Sequence, residues 1–386
     1  MAVTGGADYI YYTCIYGPQV TVTGISIFRA ELPFHAPFRI SLAETDSTTN
    51  LFVRLTASGG QVGWGEASPS PAITGDTAAT MAAAGPALAK VILGRSVSDV
   101  GGAVRAMRGR VAGQPTMRSA FDMALFDLAA QQAGLPLYAY LGGAKRSFAT
   151  DNTVGMDTPE VMAETAGRFV AEGFTAIKAK VGGPVSLDVA RIRAIRQVIG
   201  PSVPLRIDAN QGWDVAAAVA VLTHTKDAGI EYCEQPVRRG DIRGLKRVRD
   251  TVAVPIMADE SVFDHHDALA LATAEACDYL NIKLSKSSGM WVGRKIAAVA
   301  EAAGMACMVG CMSETRLGLT AAAHFISAHS IIRFADLDSH VDHTVDPVEG
   351  GIWIEGGRVL IPDGPGIGAT FSEEFLAECD EEEFLA

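Results

Sequence analysis

Short apolar runs alternate, in the second half of the chain, with longer stretches whose apolar residues fall three and four apart. The short runs predict β-strands, and the longer stretches predict seven intervening helices. This alternation favours a closed (β/α)7β barrel, a TIM-like barrel without its last helix, although spacing alone also allows an open sheet. The eight predicted strands are residues 152–155, 176–181, 205–209, 232–235, 256–259, 279–284, 306–310 and 333–338.

The first part of the chain has a different pattern, which predicts an α+β capping domain. Residues 20–27, 50–55 and 63–67 predict three strands, with a loop at residues 35–49 between the first two. Helical spacing follows until a break near Gly143. The predicted divisions are an N-terminal extension at 1–19, the cap at 20–143, the barrel at 144–348, and a C-terminal segment at 349–386 that returns to the cap.

Charged residues lie at the ends of consecutive barrel strands. They recur every 24 to 28 residues, at positions 180, 208, 234, 259 and 283, which is close to the length of one strand-helix unit. The carboxyl ends of barrel strands face a common pocket, so we expect these side chains to converge. Strand alternation also sends Lys178 and Lys180 to the same side. The set is Lys178, Lys180, Asp208, Glu234, Asp259 and Lys283.

Three carboxylates and flanking lysines suit the removal of a proton next to a carbonyl group. The resulting enolate needs a cation close to its oxygen, and Mg²⁺ prefers oxygen ligands. One acid at a strand end is more often a helix cap or an ion-pair partner, but three in consecutive units favour a metal site. A lysine acts as base when its pKa falls, and the ammonium of Lys178 beside Lys180 favours such a fall. Lys286 and Glu260 are supporting candidates.

These residues lie in motifs that resemble the enolase superfamily, in its muconate-lactonising branch. The resemblance covers the chain from about Val20 to Gly368. It implies one Mg²⁺ per subunit held by the three acids, and catalytic lysines on opposite faces of the substrate. The motifs begin at Lys178 (Lys-Ala-Lys), Asp208 (Asp-Ala-Asn), Glu234 (Glu-Gln-Pro), Asp259 (Asp-Glu-Ser) and Asn281 (Asn-Ile-Lys).

The last predicted strand carries Asp336 and Asp338, which alternation places on one side with no basic residue between them. Such a doubly negative site fits an ammonium group. Within the superfamily the pair resembles the dipeptide epimerases, in which two acids hold the α-ammonium of the substrate. The same resemblance implies further substrate contacts at Thr153, Cys311, Met312, Ser313 and Ile73.

The leading hypothesis is a Mg²⁺-dependent epimerase acting on the second residue of an L,L-dipeptide, with proton transfer by Lys180 and Lys283. N-acylamino acid racemisation, o-succinylbenzoate synthesis and cycloisomerisation on the same scaffold are the alternatives. Muconate is disfavoured because Asp336 and Asp338 would repel a dianion. A binding protein without catalysis is disfavoured because the whole set of six site residues is retained.

Substrate preference is predicted from a loop in the cap. Epimerases acting on Ala-Glu carry an arginine there that pairs with the glutamate side chain, and this chain aligns Ala43 with that arginine. Glu44 and Asp46 would repel an acidic side chain in a closed site. We therefore expect a hydrophobic or basic second residue, and the sequence leaves these two open.

Composition limits partners and location. A net charge of −12 disfavours nucleic acid, and part of this charge is the acidic tail 378–383, which the sequence presents as a solvated terminus. Six cysteines without short repeated spacings argue against disulfides and zinc. The chain has no apolar run long enough to span a membrane, and its start does not resemble a secretory signal. We expect a cytoplasmic homo-oligomer that takes a small-molecule substrate.

Overall fold

The computed structural model describes residues 19–386. The predictions for residues 1–18, which include Cys14 and almost all of the N-terminal extension, lie outside the described residues. The cap contains a set of helices and a four-stranded antiparallel sheet, in which Asp380–Leu385 (β17) is the edge strand beside β1, followed by β2 and β3. Its elements are β1 (Val22–Arg39), β2 (Glu44–Ala57), β3 (Val62–Ala67), α1 (Ala78–Ile92), α2 (Val100–Arg110), α3 (Pro115–Gln132) and the short α4 (Leu137–Tyr140).

The prediction of a loop at residues 35–49 is wrong. β1 and β2 continue as a hairpin whose outer pairs are Phe38 with Thr45 and Arg39 with Glu44. The turn is closed by a hydrogen bond from Ile40 N to Ala43 O, at 2.9 Å. This outer part is largely exposed on both faces, so it has no apolar alternation from which a strand could be predicted. The hairpin therefore carries the loop 40–43 out over the barrel.

The prediction of a solvated acidic terminus is also wrong. Residues Asp380–Leu385 form β17, which pairs antiparallel with β1 from Gly24 to Arg29. Backbone hydrogen bonds hold an edge strand whatever its side chains, and its acidic residues remain exposed to water. Arg54 also pairs with Glu381 at 3.1 Å. The end of the chain therefore completes the cap sheet.

The second half of the chain forms the predicted barrel. Eight parallel strands are hydrogen-bonded in chain order, and the first and last approach through Asp151 N and Ala335 O at 3.4 Å. A 3-10 turn, Ser339–Asp342, stands where an eighth helix would follow. The strands are β5 (Asn152–Val154), β6 (Ile177–Lys180), β7 (Leu205–Asp208), β8 (Ile230–Glu234), β9 (Ile256–Ala258), β10 (Tyr279–Ile282), β11 (Ala306–Gly310) and β12 (Ile332–Asp336).

Helices cover the outside of the barrel, and short strands complete its lower edge and its junction with the cap. The barrel helices are α5 (Pro159–Ala171), α6 (Val185–Ile199), α7 (Val215–His224), α8 (Ile242–Thr251), α9 (His265–Thr273), α10 (Leu284–Ser287), α11 (Met290–Ala302) and α12 (Arg316–Ala328). A further helix, α13 (Glu373–Glu378), packs on the cap sheet, where Phe375 contacts Phe52. The short strands are β4 (Phe148–Ala149), β13 (Val348–Gly350), β14 (Trp353–Glu355), β15 (Arg358–Leu360) and β16 (Ala369–Phe371). No helix among residues 19–386 is long and apolar enough to cross a membrane.

Register places the charged strand ends at one height. Lys180 is paired with Asp208 across β6 and β7, and Asp208 is paired with Glu234 across β7 and β8. One layer below, Lys178 is level with Arg206, whose guanidinium lies over the rings of Tyr232 and Phe334. The barrel interior is therefore filled beneath the strand ends, and the charged layer forms the floor of a pocket.

Asp127 on α3 joins the cap to the returning C-terminal segment. Its buried carboxylate accepts hydrogen bonds from Trp64 N at 2.9 Å and Ile367 N at 2.7 Å. Replacing Asp127 by alanine would leave two buried N–H groups without a partner, so we expect the free energy of unfolding to fall by about 3 kcal/mol. Urea denaturation measures this change. Asp363→Ala, at an exposed position on the same segment, is the control, and equal stability of both variants would contradict the assignment.

Candidate active site

Three carboxylates meet at the carboxyl ends of β7, β8 and β9. Oxygens of Asp208, Glu234 and Asp259 lie within 4.8 Å of one another, and all three side chains are fully buried. Burial, together with the neighbouring carboxylate of Asp208, raises the pKa of Glu234 to about 7. For Asp259 the opposing effect of burial is outweighed by Lys283 and Lys286, which lower its pKa. A compact group of carboxylate oxygens fits a hard divalent cation such as Mg²⁺.

Lys178 lies beneath this cluster and does not line the pocket above it. Its ammonium nitrogen is 2.7 Å from Glu234 Oε2, 2.7 Å from Asp336 Oδ2 and 3.3 Å from Asp208 Oδ2. Burial alone would lower the pKa of Lys178, but these three carboxylates raise it well above its usual value. The residue is therefore a buried cation that joins the three-acid cluster to Asp336.

Lys180 and Lys283 both face a cavity of about 490 Å³ between the barrel and the cap. Lys180 Nζ lies 2.7 Å from Asp208 Oδ2, and Lys283 Nζ lies 3.0 Å from Asp259 Oδ2. They follow the second and sixth of eight strands, so they stand on opposite sides of the barrel mouth. Burial lowers the pKa of Lys283, but Asp259 and Glu234 outweigh this and raise it. The lowered pKa that is expected of a catalytic lysine is therefore absent at Lys283 while these carboxylates are its neighbours.

The two supporting candidates hold the loops around the cluster. Lys286 donates to the carbonyl oxygens of Asp259, Val262 and Asn281 at 2.6 to 2.8 Å, and also lies 3.0 Å from Asp259 Oδ1. Glu260 accepts a hydrogen bond from Asn210 Nδ2 at 3.2 Å. Lys286 thus fixes the backbone that carries Asp259, and Glu260 lies beside the cluster.

Two asparagines at the site were not singled out from the sequence. Asn281 Nδ2 donates to Glu234 Oε1 at 2.6 Å, and Asn210 reaches Glu260. Asn210 also has a positive φ of 40°, which turns the backbone directly after Asp208. Asn210 belongs to the motif of Asp208 and Asn281 to the motif of Lys283, so their position within two residues of a predicted site residue was the available signal.

Asp336 and Asp338 lie at the other end of the site and differ in their surroundings. Asp336 ends β12 and pairs with Lys178, whereas Asp338 lies beyond the strand and accepts a hydrogen bond from Thr153 N at 2.7 Å. The expected doubly negative site without a basic neighbour is therefore wrong, because Lys178 compensates Asp336. The sequence could not give this pairing, since Lys178 is on the second barrel strand and Asp336 ends the eighth, 158 positions later.

The pKa values of the two acids move in opposite directions. Lys178 and Lys180 outweigh burial at Asp336 and lower its pKa. Burial and the nearby charge of Asp336 raise the pKa of Asp338 to about 7. A cation placed beside Asp338 would stabilise its ionised form, so this end of the site retains a preference for an ammonium group.

The remaining predicted contact residues line the same space. Cys311, Met312 and Ser313 follow β11 and line both the large cavity and a smaller one of about 40 Å³ that contains Asp336 and Asp338. Thr153 lines the smaller cavity, and Ile73 lines the larger one from the cap. The structure therefore places the predicted contact residues, Lys180 and Lys283 on the walls of two adjoining cavities, and it places Lys178 with the three acids of the cluster beneath them.

Glu66 on β3 was missed by sequence analysis. It is fully buried and accepts hydrogen bonds from Asn50 Nδ2, Thr315 N and Oγ1, and Gly318 N. Burial raises its pKa to about 7 despite these donors. Because Thr315 and Gly318 follow β11, Glu66 ties the cap to the segment that carries residues 311–313. No sequence motif marked this role.

The specificity loop lies at the rim of the large cavity. Ala43 and Glu44 line it, whereas Asp46 does not. Glu44 Oε2 is 2.8 Å from Arg39 Nε, so its charge is compensated by an ion pair. Its partner is its cross-strand neighbour on β1, so the predicted repulsion of an acidic substrate side chain is weakened at Glu44 and stays a prediction.

A (β/α)7β barrel whose mouth holds three acids flanked by lysines defines a class of enzymes that abstract protons next to carboxylates. Residues 22–142 match the mandelate racemase / muconate lactonizing enzyme N-terminal domain, and residues 161–375 match the enolase C-terminal domain-like family. The chain belongs to the mandelate racemase and muconate lactonizing enzyme family of the enolase superfamily, which confirms the resemblance inferred from its motifs.

Several relatives have assigned activities. The chain is 41% identical to the D-Ala-D/L-Ala epimerase of Cytophaga hutchinsonii, over 92% of this chain and 97% of that protein. It is 40% identical to the L-Ala-D/L-Glu epimerase of Bacillus subtilis, over 89% and 95%. A crystal structure of the Cytophaga hutchinsonii dipeptide epimerase with Mg and D-Ala-L-Val superposes with a TM-score of 0.93, at 40% identity, over 94% of this chain and 99% of that one.

Proposed function

We propose that the protein is a Mg²⁺-dependent dipeptide epimerase that inverts the α-carbon of the second residue of an L,L-dipeptide. The observation that carries this proposal is that three groups of different chemistry meet around two adjoining cavities. Lys180 and Lys283 line the larger cavity and contact the acidic cluster through Asp208 and Asp259, and Asp336 and Asp338 line the smaller one. Similarity to dipeptide epimerases at 37–41% identity supports the same assignment.

Each group has a distinct role in the proposed reaction. Asp208, Glu234 and Asp259 would hold Mg²⁺, which would stabilise the negative charge that develops on the substrate carboxylate. One of Lys180 and Lys283 removes the α-proton, and the other returns a proton to the opposite face. The proton count is unchanged over the cycle, and the two lysines exchange protonation states. Lys178 holds the acids in position from below.

The amino end of the dipeptide would lie between Asp338, Asp336 and Thr153. An ammonium group there would pair with the buried carboxylate of Asp338, whereas an N-acyl group would leave Asp338 without a cationic partner. Cys311, Met312 and Ser313 contact the substrate between its two ends, and Ile73 contacts it from the cap. The predicted domain boundaries, homo-oligomeric state and cytoplasmic location stay predictions.

The second candidate is an N-acylamino acid racemase, favoured by 29% identity to the N-succinyl-L-Arg/Lys racemase of Bacillus cereus. We expect L-Ala-Xaa dipeptides to have kcat/KM values roughly 10²-fold above those of the matching N-acetyl amino acids, because only the dipeptides present an ammonium. Polarimetry and chiral chromatography measure both reactions. Asp338→Asn should reduce this ratio, and faster racemisation of the N-acetyl compounds by the unmodified protein would favour the second candidate.

A further inference from the structure

The cavity of about 490 Å³ is the wide space that Lys180 and Lys283 both line. From the gap between Lys180 and Lys283, one direction leads to the acidic cluster, whose Asp208 and Asp259 contact these two lysines. A second direction leads to the 40 Å³ cavity beside Asp338. The third direction opens into the cavity of about 490 Å³ beneath the cap. A dipeptide whose carboxylate and ammonium occupy the first two directions must place the side chain of its second residue in the third.

Apolar side chains form about half of the lining of this third direction. Barrel and cap contribute Phe38, Ile40, Ala43, Pro71, Ile73 and Met312. Apart from Glu44, the polar cap residues around them are serines and threonines, which do not neutralise a charged side chain. An uncompensated charge moved from water into such a space loses hydration without gaining a partner. The lining therefore favours a side chain without charge.

Glu44 is the single charged residue among the described cap residues that line the cavity. It is bound to Arg39 through a contact of 2.8 Å, and both side chains are about half exposed, at 48% and 47%. A basic substrate side chain would have to compete with Arg39 for this carboxylate. An acidic substrate side chain would be repelled by the carboxylate of Glu44 at the cavity wall. It would gain no partner from Arg39, because that guanidinium is already paired with Glu44.

We propose that the second residue of the substrate dipeptide has an apolar side chain, and that the Arg39–Glu44 ion pair keeps the cavity from accepting a basic one. This inference rests on the proposed function, because it assigns the cavity to the second residue of a dipeptide. It makes Arg39 a specificity-determining residue although Arg39 itself does not line the cavity.

The first test compares kcat/KM for L-Ala-L-Leu, L-Ala-L-Phe, L-Ala-L-Lys and L-Ala-L-Glu. We expect the leucine and phenylalanine dipeptides to exceed both charged ones by at least about tenfold, because a charged side chain is desolvated without a partner. A preference for the lysine or glutamate dipeptide would overturn the inference and leave the epimerase assignment intact. No epimerisation of any of the four would overturn the proposed function itself, and this inference with it.

The second test releases Glu44. In Arg39→Ala the carboxylate is free, so the ratio of kcat/KM for L-Ala-L-Lys to that for L-Ala-L-Leu should rise about fivefold, as for a partly exposed ion pair. The double variant Arg39→Ala, Glu44→Ala should return the ratio to its original value. Asp46→Asn changes an acid of the same strand that does not line the cavity, and it should leave the ratio unchanged.

An unchanged ratio in Arg39→Ala would overturn the role of the ion pair. A rise that persists in the double variant would do the same, because it would show that the gain does not come from Glu44. An equal rise in Asp46→Asn would mean that general surface charge, and not the Arg39–Glu44 pair, governs selection of the second residue.

Discussion

Lys180→Ala and Lys283→Ala are each expected to lower the kcat/KM of epimerisation by roughly 10³-fold or more, because each removes the only proton donor or acceptor on one face of the α-carbon. Both ammonium groups border the substrate cavity on opposite sides of the barrel mouth. Chiral chromatography of the dipeptide isomers measures the loss. Circular dichroism checks that each variant is folded.

The two lysine variants should also differ from each other. A variant that keeps one lysine can still exchange the α-proton of the stereoisomer that presents its hydrogen to that lysine, so each variant should label a different isomer in deuterium oxide. Lys246→Ala, at an exposed ion pair on α8, is the control and should retain full activity. Complete epimerisation by either active-site variant would show that the two-base scheme is wrong.

Asp208→Asn, Glu234→Gln and Asp259→Asn are each expected to weaken Mg²⁺ binding by at least about tenfold, since each removes one of three charged oxygen ligands. The three carboxylates lie within 4.8 Å of one another, so the remaining two cannot form the same coordination shell. Isothermal titration calorimetry measures the affinity. Chelation of the metal by EDTA should abolish epimerisation, and added Mg²⁺ should restore it.

Glu231→Gln is the matched control for the metal variants. Glu231 lies on β8 with Glu234, but its carboxylate pairs with Arg206 at 2.7 Å on the side away from the pocket. Its replacement should leave Mg²⁺ affinity unchanged. Unchanged affinity in all three ligand variants would contradict the assignment of the metal site, even if activity were lost.

The barrel was predictable because its signal repeats. Each barrel strand is a short apolar run that is buried on both faces. The strand-helix unit recurs along the chain, so an error in predicting one strand does not change the predicted fold. The charged residues at the strand ends follow the same repeat, so Asp208, Glu234 and Asp259 could be placed together without coordinates. Register then brings Lys180, Asp208 and Glu234 to one height.

The cap was less predictable, because its edges are stabilised by backbone hydrogen bonds and not by apolar patterning. The outer half of the β1–β2 hairpin is exposed, and β17 is a strand of acidic residues. Neither segment buries a continuous apolar face, so hydrophobic periodicity predicts a loop and a solvated tail. Backbone pairing forms both strands, locally in the hairpin and between distant residues at β17.

The pairing of charged side chains was the other feature that the sequence did not predict. Lys178 and Asp336 are 158 positions apart, and their contact depends on barrel closure. Arg39 and Glu44 are close in sequence, but they face each other only because the hairpin extends to the turn at residues 40–43. Strand alternation predicted the side of the strand on which these residues lie. It could not predict which acidic and basic side chains would pair.

The central claim is metal-dependent proton transfer at the α-carbon of the second residue, and proton NMR in deuterium oxide tests it most directly. The unmodified protein is incubated with Mg²⁺ and a mixture of L-Ala-L-Leu, L-Ala-L-Phe, L-Ala-L-Lys and L-Ala-L-Glu. We predict that deuterium enters only the second α-position of the dipeptides that are turned over, that L,D isomers accumulate in step, and that both stop when EDTA is added. Deuterium at the alanine α-carbon, or exchange that persists without metal, would contradict the account.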